Sequence, residues 1–348
     1  MATFETSLKS RLIYVFAIPD EWHKDCLKVG ETTLEEDDGN FPLPNSEVLN
    51  KAACDRIDQY TKTAGIAYNL LHTEMTVFFK GGTISSFNDK QVHSVLERSG
   101  VKKKTFDTVK GANEWFCCDL ETVKKAIHAV KNGRNSLNAS DISYTQTPII
   151  FRPEQQAAID KTKKQFKKGA QMLWNAKMRF GKTLCALRVA RDLEMRRTII
   201  LTHRPVVDES WFEDFGKIFY DRTDYHYGSR TKGEDFTSLE RLAKKGDRYV
   251  YFASMQDMRG AQLVGGKFDK NNEVFSTDWD FLIVDEAHEG TRTELGESVI
   301  KELTKANTKV LKLSGTPFNL LDDYTEEETY TWDYTMEQRA KTEWDLLH

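Results

Sequence analysis

Between residues 171 and 313 the sequence alternates short apolar runs with amphipathic stretches, and this alternation constrains the fold more than any other feature. The apolar runs have the length and composition of buried strands, and the stretches between them have helical spacing. Strands that alternate with helices predict an α/β fold with a parallel sheet covered on both faces. The predicted strands are Gln171–Ala176, Arg197–Thr202, Tyr249–Ala253, Phe281–Val284 and Val310–Leu313, and the predicted helices are Thr183–Glu194, Asp208–Phe219 and Glu294–Lys305.

A phosphate-binding loop is predicted where the first of these strands meets the first helix, in residues 176–183 (AKMRFGKT). The backbone N–H groups of such a loop and the helix N-terminus hold phosphate oxygens. Lys182 is placed to reach the β- and γ-phosphates of a nucleotide, and the Thr183 hydroxyl to bind Mg²⁺. Ala176 stands at the first position, which is usually glycine, and Gly181 precedes the lysine. We therefore expect a nucleotide site formed by Ala176, Gly181, Lys182 and Thr183.

Two adjacent carboxylates follow a later apolar strand, in the segment FLIVDEAH from Phe281 to His288. An apolar strand delivers both carboxylates at its carboxyl end, the edge of a parallel sheet where ligands bind. Asp285 suits the Mg²⁺ shell, and Glu286 suits the polarisation of an attacking water. We therefore expect the pair to act on a nucleotide bound at the phosphate-binding loop.

From about residue 148 onward, the motifs resemble those of the first RecA-like domain of a superfamily 2 helicase, of the DEAH-box type found in restriction enzymes. The resemblance implies ATP and Mg²⁺ as cofactors and single- or double-stranded DNA as the partner. It assigns adenine recognition to Gln155 and nucleic-acid contacts to four residues: Thr202, Arg204, Ser254 and Gln256. Coupling between the ATP site and the nucleic-acid site is assigned to His288, Ser314 and Thr316. An RNA-directed motor stays open as an alternative.

The stretch after Pro317 is acidic and aromatic, and we expect no second RecA-like domain within it. The family that the motifs resemble hydrolyses ATP between two such domains, and the second carries an arginine finger. We therefore expect the second motor domain to lie beyond residue 348. The chain by itself should bind Mg-ATP but be nearly inactive as a motor, because transition-state charge is stabilised from one side only.

The first half predicts a small α+β domain, with strands at Arg11–Ala17, Leu27–Gly30 and Tyr68–Phe79 and helices at Ser46–Lys62, Asn88–Ser99 and Leu120–Lys131. Its motif order resembles the GIY-YIG nuclease fold, in the phage-type variant with Lys-Ile-Gly-x-Thr and a closing Glu-Trp-Phe. The matching residues are Ile13-Tyr14-Val15, Lys28-Val29-Gly30-Glu31-Thr32, Arg56, Asp89, His93 and Glu114-Trp115-Phe116. The resemblance implies that Tyr14 orients the nucleophile, Arg56 stabilises the phosphorane charge, and Asp89 holds one Mg²⁺. A catalytically inactive module that binds DNA or a partner is the alternative.

These features divide the chain into a GIY-YIG-like domain at 1–132, a polar linker at 133–147 and a RecA-like domain at 148–348. The net charge of −4 excludes a globally basic nucleic-acid binder, although it leaves room for a local basic groove. Five cysteines without CxxC spacing predict a reducing compartment, no disulfide framework and no zinc site. The apolar run 12–18 is too short to span a bilayer, and we expect a cytoplasmic protein.

Overall fold

The computed structural model describes residues 10–34, 41–106, 114–142, 149–203, 207–287, 294–315 and 320–347. The chain divides into two compact units, Met1–Leu137 and Asn138–His348. The division falls inside the segment 133–147 that the sequence marks as a linker. No helix in the described part of the chain is long and apolar enough to cross a bilayer.

The first unit is built on an antiparallel sheet with strand order β3-β1-β2-β6. Its elements are β1 (Arg11–Ala17), β2 (Leu27–Thr33), α1 (Glu47–Thr61), β3 (Asn69–Met75), β4 (Val77–Lys80), β5 (Thr83–Ser86), α2 (Asp89–Arg98), β6 (Trp115–Phe116) and α3 (Leu120–Lys131). Alternate residues of β1, among them Tyr14 and Phe16, pack with Leu49, Ala53 and Ile57 of α1 in one core. Apolar residues two apart on β1 thus pack against apolar residues about four apart on α1, because each spacing places its residues on one face of the element.

The strand predicted over residues 68–79 is interrupted at Thr76. The backbone N–H and the hydroxyl of Thr76 both donate to the carbonyl of Arg11, at 2.9 and 3.0 Å. β3 therefore ends against β1, whereas β4 turns away and pairs with β5 in a separate two-stranded hairpin. The prediction of one long strand was wrong, because apolar periodicity continues across a point where the hydrogen-bonding partner changes.

The second unit contains a seven-stranded sheet with order β13-β7-β12-β11-β8-β10-β9, parallel throughout. The strands are β7 (Gln171–Ala176), β8 (Arg197–Thr202), β9 (Tyr225–Gly228), β10 (Arg248–Ser254), β11 (Phe281–Asp285), β12 (Lys309–Ser314) and β13 (Thr329–Trp332). The helices are α4 (Pro153–Gln165), α5 (Lys182–Asp192), α6 (Asp208–Phe219), α7 (Phe236–Ala243), α8 (Met255–Arg259), α9 (Asn272–Ser276), α10 (Glu294–Leu303) and α11 (Tyr334–Leu347). The unit is a mixed α/β domain, as the alternating pattern predicts.

Two apolar clusters cover the two faces of this sheet, and successive strand residues belong to different clusters. Leu282 lies in one cluster and Ile283 in the other, and Leu173 and Trp174 divide in the same way. Strands buried on both faces are near-continuous apolar runs, which is why the sequence revealed them.

The acidic and aromatic stretch after Pro317 contributes a strand and a helix to the second unit. β13 pairs in parallel with β7, and Lys161 on α4 donates to the carbonyls of Glu326 and Thr329 at 2.8 and 2.6 Å. The sequence alone did not predict β13, because its four half-buried residues lack the continuous apolar run of the central strands.

Candidate functional sites

The predicted phosphate-binding loop lies at the carboxyl end of β7 and leads directly into α5. Gly181 is the N-cap of α5 and has a φ of 90°, a backbone conformation that glycine adopts without strain. Arg179 in the same loop also has a positive φ, 64°. A Cβ atom added at position 181 would lie 2.6 Å from Nε2 of Gln155. The loop therefore needs glycine here both for its turn and for the close approach of Gln155.

Gln155 fixes the loop from the first turn of α4. Its Nε2 donates to the carbonyl of Phe180 at 2.7 Å, and its Oε1 accepts from the backbone N–H of Arg152 at 2.8 Å. The Arg152 guanidinium donates to the same Phe180 carbonyl at 2.8 Å. Both ends of the Gln155 amide thus bind backbone, and each end keeps one further hydrogen-bonding position.

Lys182 is directed back into the loop. Its Nζ donates to the carbonyl of Ala176 at 2.8 Å and approaches that of Lys177 at 3.4 Å. Burial lowers the pKa of the Lys182 ammonium group, while the negative charges of Glu286 and Asp285 act in the opposite direction. A phosphate would replace two neutral carbonyls by a charged acceptor, and charge-assisted hydrogen bonds of that kind are the stronger ones.

The two carboxylates of the FLIVDEAH segment lie at the carboxyl end of β11. Asp285 Oδ1 accepts from the N–H of Glu286 at 3.0 Å, and its Oδ2 accepts from the indole Nε1 of Trp211 on α6 at 3.3 Å. Burial and the neighbouring Glu286 raise the pKa of Asp285. Glu286 itself has a φ of 49°, an uncommon conformation for a non-glycine residue. Trp211 was not selected as a site residue from the sequence, because its position in an amphipathic helix is that of an ordinary core residue.

The end of β12 lies beside the phosphate-binding loop. Ser314 is fully buried and pairs with Asn175 of β7, one residue before the loop. A Cβ added at Gly315 would lie 3.9 Å from Lys182 Nζ. The N–H of Ala287 donates to the Leu313 carbonyl at 2.9 Å, which ties the turn after β11 to β12. The structure therefore brings Ser314 and Gly315 close to the residues of the nucleotide site.

Thr202 and Ser254 lie farther along the same edge of the sheet. In the parallel register Thr202 is the partner of Asp285 on one side and of Ser254 on the other, and both residues are buried. The Ser254 hydroxyl accepts from the N–H of Asp257 at 3.1 Å and caps α8. Gln256 is exposed in the first turn of that helix. Three further predicted residues, Arg204, His288 and Thr316, lie outside the described residues.

The donors at the nucleotide site fit a magnesium ion bound together with a nucleotide. Thr183, the second residue of α5, supplies a hydroxyl, and Asp285 supplies a carboxylate at the carboxyl end of β11. Two neighbouring carboxylates in a buried setting repel each other, and a divalent cation relieves that repulsion. Within the described ranges, no three His, Cys, Asp or Glu side chains form a metal-binding group. Mg²⁺ in nucleotide sites needs only one or two carboxylates, because phosphates and water complete its shell.

In the first unit, Tyr14 is buried on β1 and its ring lies over Gly30 of β2. The two residues are direct partners in the antiparallel register. A Cβ atom added at Gly30 would lie 2.7 Å from both Cζ and the hydroxyl oxygen of Tyr14. The glycine of the Lys28-Val29-Gly30 motif thus makes room for the tyrosine of the first motif.

Tyr14 belongs to a polar group that we call the Tyr14 cluster: Tyr14, Lys28, Arg56, Tyr60 and Glu114. Burial raises the pKa of the Tyr14 phenol, while hydrogen bonds with Tyr60 and Arg56 lower it. Burial and Tyr14 raise the pKa of Tyr60. Lys28 Nζ lies 4.6 Å from the centre of the Tyr60 ring and 3.3 Å from Glu114 Oε2. Arg56 is exposed and reaches Tyr14 from α1, one helical turn before Tyr60.

Tyr60 and Lys28 were not selected as site residues from the sequence. The spacing of Tyr60 four residues after Arg56 places both on one face of α1, and this spacing is the signal that could have found it. Lys28 alternates with Gly30 along β2 and so faces the same side of the sheet.

Asp89, the predicted metal ligand, is not brought into this cluster. It begins α2, and its backbone N–H donates to Glu31 Oε2 at 3.3 Å. Glu31 pairs with Ile13, whereas Gly30 pairs with Tyr14, so the register directs Glu31 to the sheet face opposite Tyr14. Glu114 is the carboxylate of the cluster, and Lys28 already neutralises it. The described residues around Tyr14 thus do not fit a metal ion, and we derive no step through one.

A charged cleft of about 590 Å³ adjoins Arg56. The residues that line it include Arg11, Glu31, Lys51, Asp55, Arg56 and Gln59. Arg56 donates to Gln59 Oε1 at 2.7 Å, and Arg11 pairs with Glu31 at 2.8 Å. A polyanion entering this cleft would meet Arg56, the member of the Tyr14 cluster that lines it.

Comparison with known proteins finds similarity over the second unit. Residues 148–319 match the family described as "Type III restriction enzyme, res subunit". The chain is also similar to "Putative type II restriction enzyme and methyltransferase RM.MpnORF110P C-terminus" of Mycoplasma pneumoniae, with 26% identity over 235 residues. That alignment covers 55% of this chain and 32% of the relative, so the chain spans about a third of the length of the protein it matches.

Solved structures give low structural similarity. The "Sulfolobus solfataricus SWI2/SNF2 ATPase core in complex with dsDNA" is 16% identical, covers 54% of this chain and 36% of its own, and has a TM-score of 0.38. The nuclease-deletion mutant of the type ISP enzyme LlaGI is 16% identical, with 56% of this chain and 21% of that chain covered and a TM-score of 0.37. The UvsW helicase from Bacteriophage T4 is 12% identical, with 74% of this chain and 99% of that chain covered and a TM-score of 0.37. These TM-scores are too low to carry an argument. Residues 148–319 of the second unit are therefore similar to a restriction-enzyme subunit family, and they lie on a mixed α/β architecture with a parallel sheet.

Proposed function

We propose that the second unit is one half of an ATP-dependent DNA motor, a helicase or translocase that serves a restriction or phage-defence system. The observation that carries the proposal is the position of Lys182. It lies in the loop after β7, within electrostatic reach of Asp285 and Glu286 after β11 and close to Gly315 after β12. Three strand ends thus converge on one ammonium group at the edge of the sheet where ligands bind.

In this mechanism Lys182 binds the β- and γ-phosphates of ATP in place of the Ala176 and Lys177 carbonyls. Glu286 orients the attacking water, and the hydrogen bond from Trp211 holds Asp285 in position. Thr183 and Asp285 would hold Mg²⁺, which neutralises phosphate charge when bound. Gln155 supports the loop through its hydrogen bond to the Phe180 carbonyl, so its main role in this mechanism is to hold the conformation of the loop.

DNA as the partner is supported by the relatives, since the SWI2/SNF2 core was solved with dsDNA and LlaGI with a DNA substrate mimic. In this chain, Gln256 is exposed at the carboxyl edge of the sheet, beside Ser254 and Thr202. We propose that this edge contacts the phosphate backbone together with Arg204. Such contacts position the strand without reading its sequence.

The test is phosphate release with and without DNA, on residues 1–348 and on a longer chain in which these residues are joined to a second RecA-like domain. We expect residues 1–348 to bind Mg-ATP and to hydrolyse it near background, because one RecA-like domain stabilises the transition state from one side. The longer chain should show DNA-stimulated hydrolysis. Robust DNA-stimulated turnover by monomeric residues 1–348 would contradict the inference of a one-sided site.

We further propose that the first unit is a GIY-YIG-type endonuclease that acts through the Tyr14 cluster. Arg56 is placed to stabilise charge on a scissile phosphate, and the phenol of Tyr14 is placed to orient a nucleophilic water. Burial raises the pKa of the Tyr14 phenol, so the phenol stays protonated near neutral pH and acts on that water through a hydrogen bond. The support is the grouping of these side chains and the position of Arg56 in the lining of a charged cleft.

Nicking of supercoiled plasmid in the presence of divalent cations tests the nuclease. We expect Arg56→Ala to lose nicking, and Lys51→Ala to retain it, because Lys51 lines the same cleft without contacting Tyr14. Binding of DNA without nicking by the unmodified chain would instead favour the inactive binding module. Asp89→Asn and Glu114→Gln in the same assay separate the carboxylate implied by the family resemblance from the one that lies in the cluster.

A further inference from the structure

Two cysteines of the first unit meet across a strand pair. β2 and β6 are antiparallel, with Leu27 opposite Phe116 and Lys28 opposite Trp115. Continuing this register by one residue beyond the two strands sets Cys26 opposite Cys117, and their sulfur atoms are 3.2 Å apart although 91 positions separate them in the chain. Directly opposed residues of antiparallel strands have Cα atoms about 4.5–5.5 Å apart. That spacing falls within the range of about 4.4–6.8 Å that a disulfide bridges.

The two thiols differ in their access to solvent. Cys117 is exposed, whereas Cys26 is only 3% exposed. Burial and the adjacent Cys117 raise the pKa of Cys26 to about 11, so it stays a thiol at neutral pH. A dissolved oxidant therefore meets Cys117 first, and Cys26 is held in position to react with the product. An exposed thiol beside a second, resolving thiol is the arrangement found in redox-sensing sites.

We propose that Cys26 and Cys117 form a reversible disulfide in response to a hydroperoxide oxidant. The Cys117 thiolate attacks one oxygen of hydrogen peroxide, the O–O bond breaks, and Cys117 becomes a sulfenic acid while hydroxide takes up a proton as water. The Cys26 sulfur then attacks the Cys117 sulfur, the S–S bond forms, and the departing hydroxide leaves as water with the Cys26 proton. Two thiols thus supply the two electrons that reduce one peroxide to two waters, and a dithiol reductant reverses the bond.

The disulfide would fasten the edge of the sheet that carries part of the Tyr14 cluster. β6 has only two residues, and its pairing with β2 positions Trp115 beside Lys28 and Glu114 within reach of it. A bond across this pair constrains the unfolded chain over a long loop and so stabilises the first unit. This inference does not depend on nuclease activity, since its test measures the bond and the unfolding of the chain.

The test uses the full chain, reduced and then treated with hydrogen peroxide, followed by alkylation, digestion and mass spectrometry. We expect a linked Cys26–Cys117 peptide that dithiothreitol releases, together with a thermal unfolding midpoint several degrees higher in the oxidised chain. Cys117→Ser should abolish both changes, and it is expected to fold because Cys117 is exposed. Cys118→Ser is the matched control and should retain both, because burial raises the pKa of Cys118 to about 12.

Four outcomes would overturn the proposal. The first is a linked Cys117–Cys118 peptide. The second is a doubly alkylated Cys26 and Cys117 after oxidation, and the third is Cys117 oxidised to sulfinic acid while Cys26 remains alkylated. Unchanged oxidation behaviour in Cys117→Ser would contradict it as well. Cys26→Ala is a second variant that should also abolish the disulfide. If this substitution at a buried position prevents folding, Cys117→Ser alone decides the test.

Discussion

Gly30 and Tyr14 are partners across β2 and β1, and the glycine leaves the space that the tyrosine ring occupies. A methyl group at position 30 would lie 2.7 Å from the Tyr14 hydroxyl oxygen, well inside van der Waals contact. The ring in turn contacts Arg56 and Tyr60, so the absence of a side chain at one position shapes the whole cluster. A glycine that resembles a motif residue in the sequence is here a steric requirement.

Gly30→Ala should therefore displace the Tyr14 ring and destabilise the first unit by about 1–3 kcal/mol, the usual cost of overpacking. Chemical denaturation and plasmid nicking measure the two effects. Gly216→Ala in α6 is the control, since a Cβ there meets nothing within 4 Å and should be neutral or stabilising. Equal loss of stability in both variants would contradict the steric explanation.

Lys182→Ala should abolish binding of an ATP analogue, whereas Glu286→Gln should leave binding intact and lower turnover by roughly 10²–10⁴-fold. The reason is that Lys182 contacts the phosphate position, while Glu286 acts only on the attacking water. Equilibrium binding of a fluorescent analogue and phosphate release by the longer, active chain separate the two roles. Equal nucleotide affinity in Lys182→Ala and the unmodified chain would refute the assignment of Lys182.

Gln155→Ala should weaken nucleotide binding even for a triphosphate with a different base. The expected cause is loss of its hydrogen bond to the Phe180 carbonyl, which supports the loop before Gly181. Affinities for ATP and GTP in both proteins provide the measurement. A loss confined to ATP would show that Gln155 acts through adenine and not through the loop.

Arg204→Ala should weaken single-stranded DNA binding without sequence bias. Loss of one phosphate contact reduces counterion release, so the slope of log affinity against log salt should fall by about 1. Titrations of mixed-sequence oligonucleotides at several salt concentrations measure this slope. An unchanged slope would argue against a backbone contact by Arg204.

Asp224→Asn should destabilise the second unit at neutral pH, and the difference from the unmodified chain should shrink as pH falls from about 4 to about 2. Hydrogen bonds from Arg222 at 2.8 Å and from Arg248 at 2.7 Å bind this carboxylate. They lower the pKa of Asp224 to about 2 in the folded chain, against an ordinary value of 3.8. The stabilisation is therefore fully present above the pKa that Asp224 has in the unfolded chain, and it is lost as pH falls through the pKa of Asp224 in the folded chain. Denaturant titrations over this range test it, and a difference independent of pH would contradict the ion-pair origin.

The sequence by itself determined most of the second unit. Central parallel strands are buried on both faces. The strands Phe281–Asp285 and Arg197–Thr202 therefore contain near-continuous apolar runs, which are recognisable in the sequence without knowledge of the fold. The loop at Gly181 and the carboxylates at Asp285 and Glu286 follow strand ends directly, and the carboxyl ends of parallel strands meet at one edge. Local sequence and topology together therefore predicted which of these residues would lie near each other.

Only the tertiary structure decided how residues distant in sequence share a site. Trp211 holds Asp285 across two elements, and β13 joins the sheet because β7 offers an unpaired edge. In the first unit, strand register places Glu31, which contacts the backbone of Asp89, on the face opposite Tyr14, and long-range pairing brings Cys117 next to Cys26. A shift of one residue in register reverses the face of every side chain, and register is set by long-range pairing that a linear pattern does not contain.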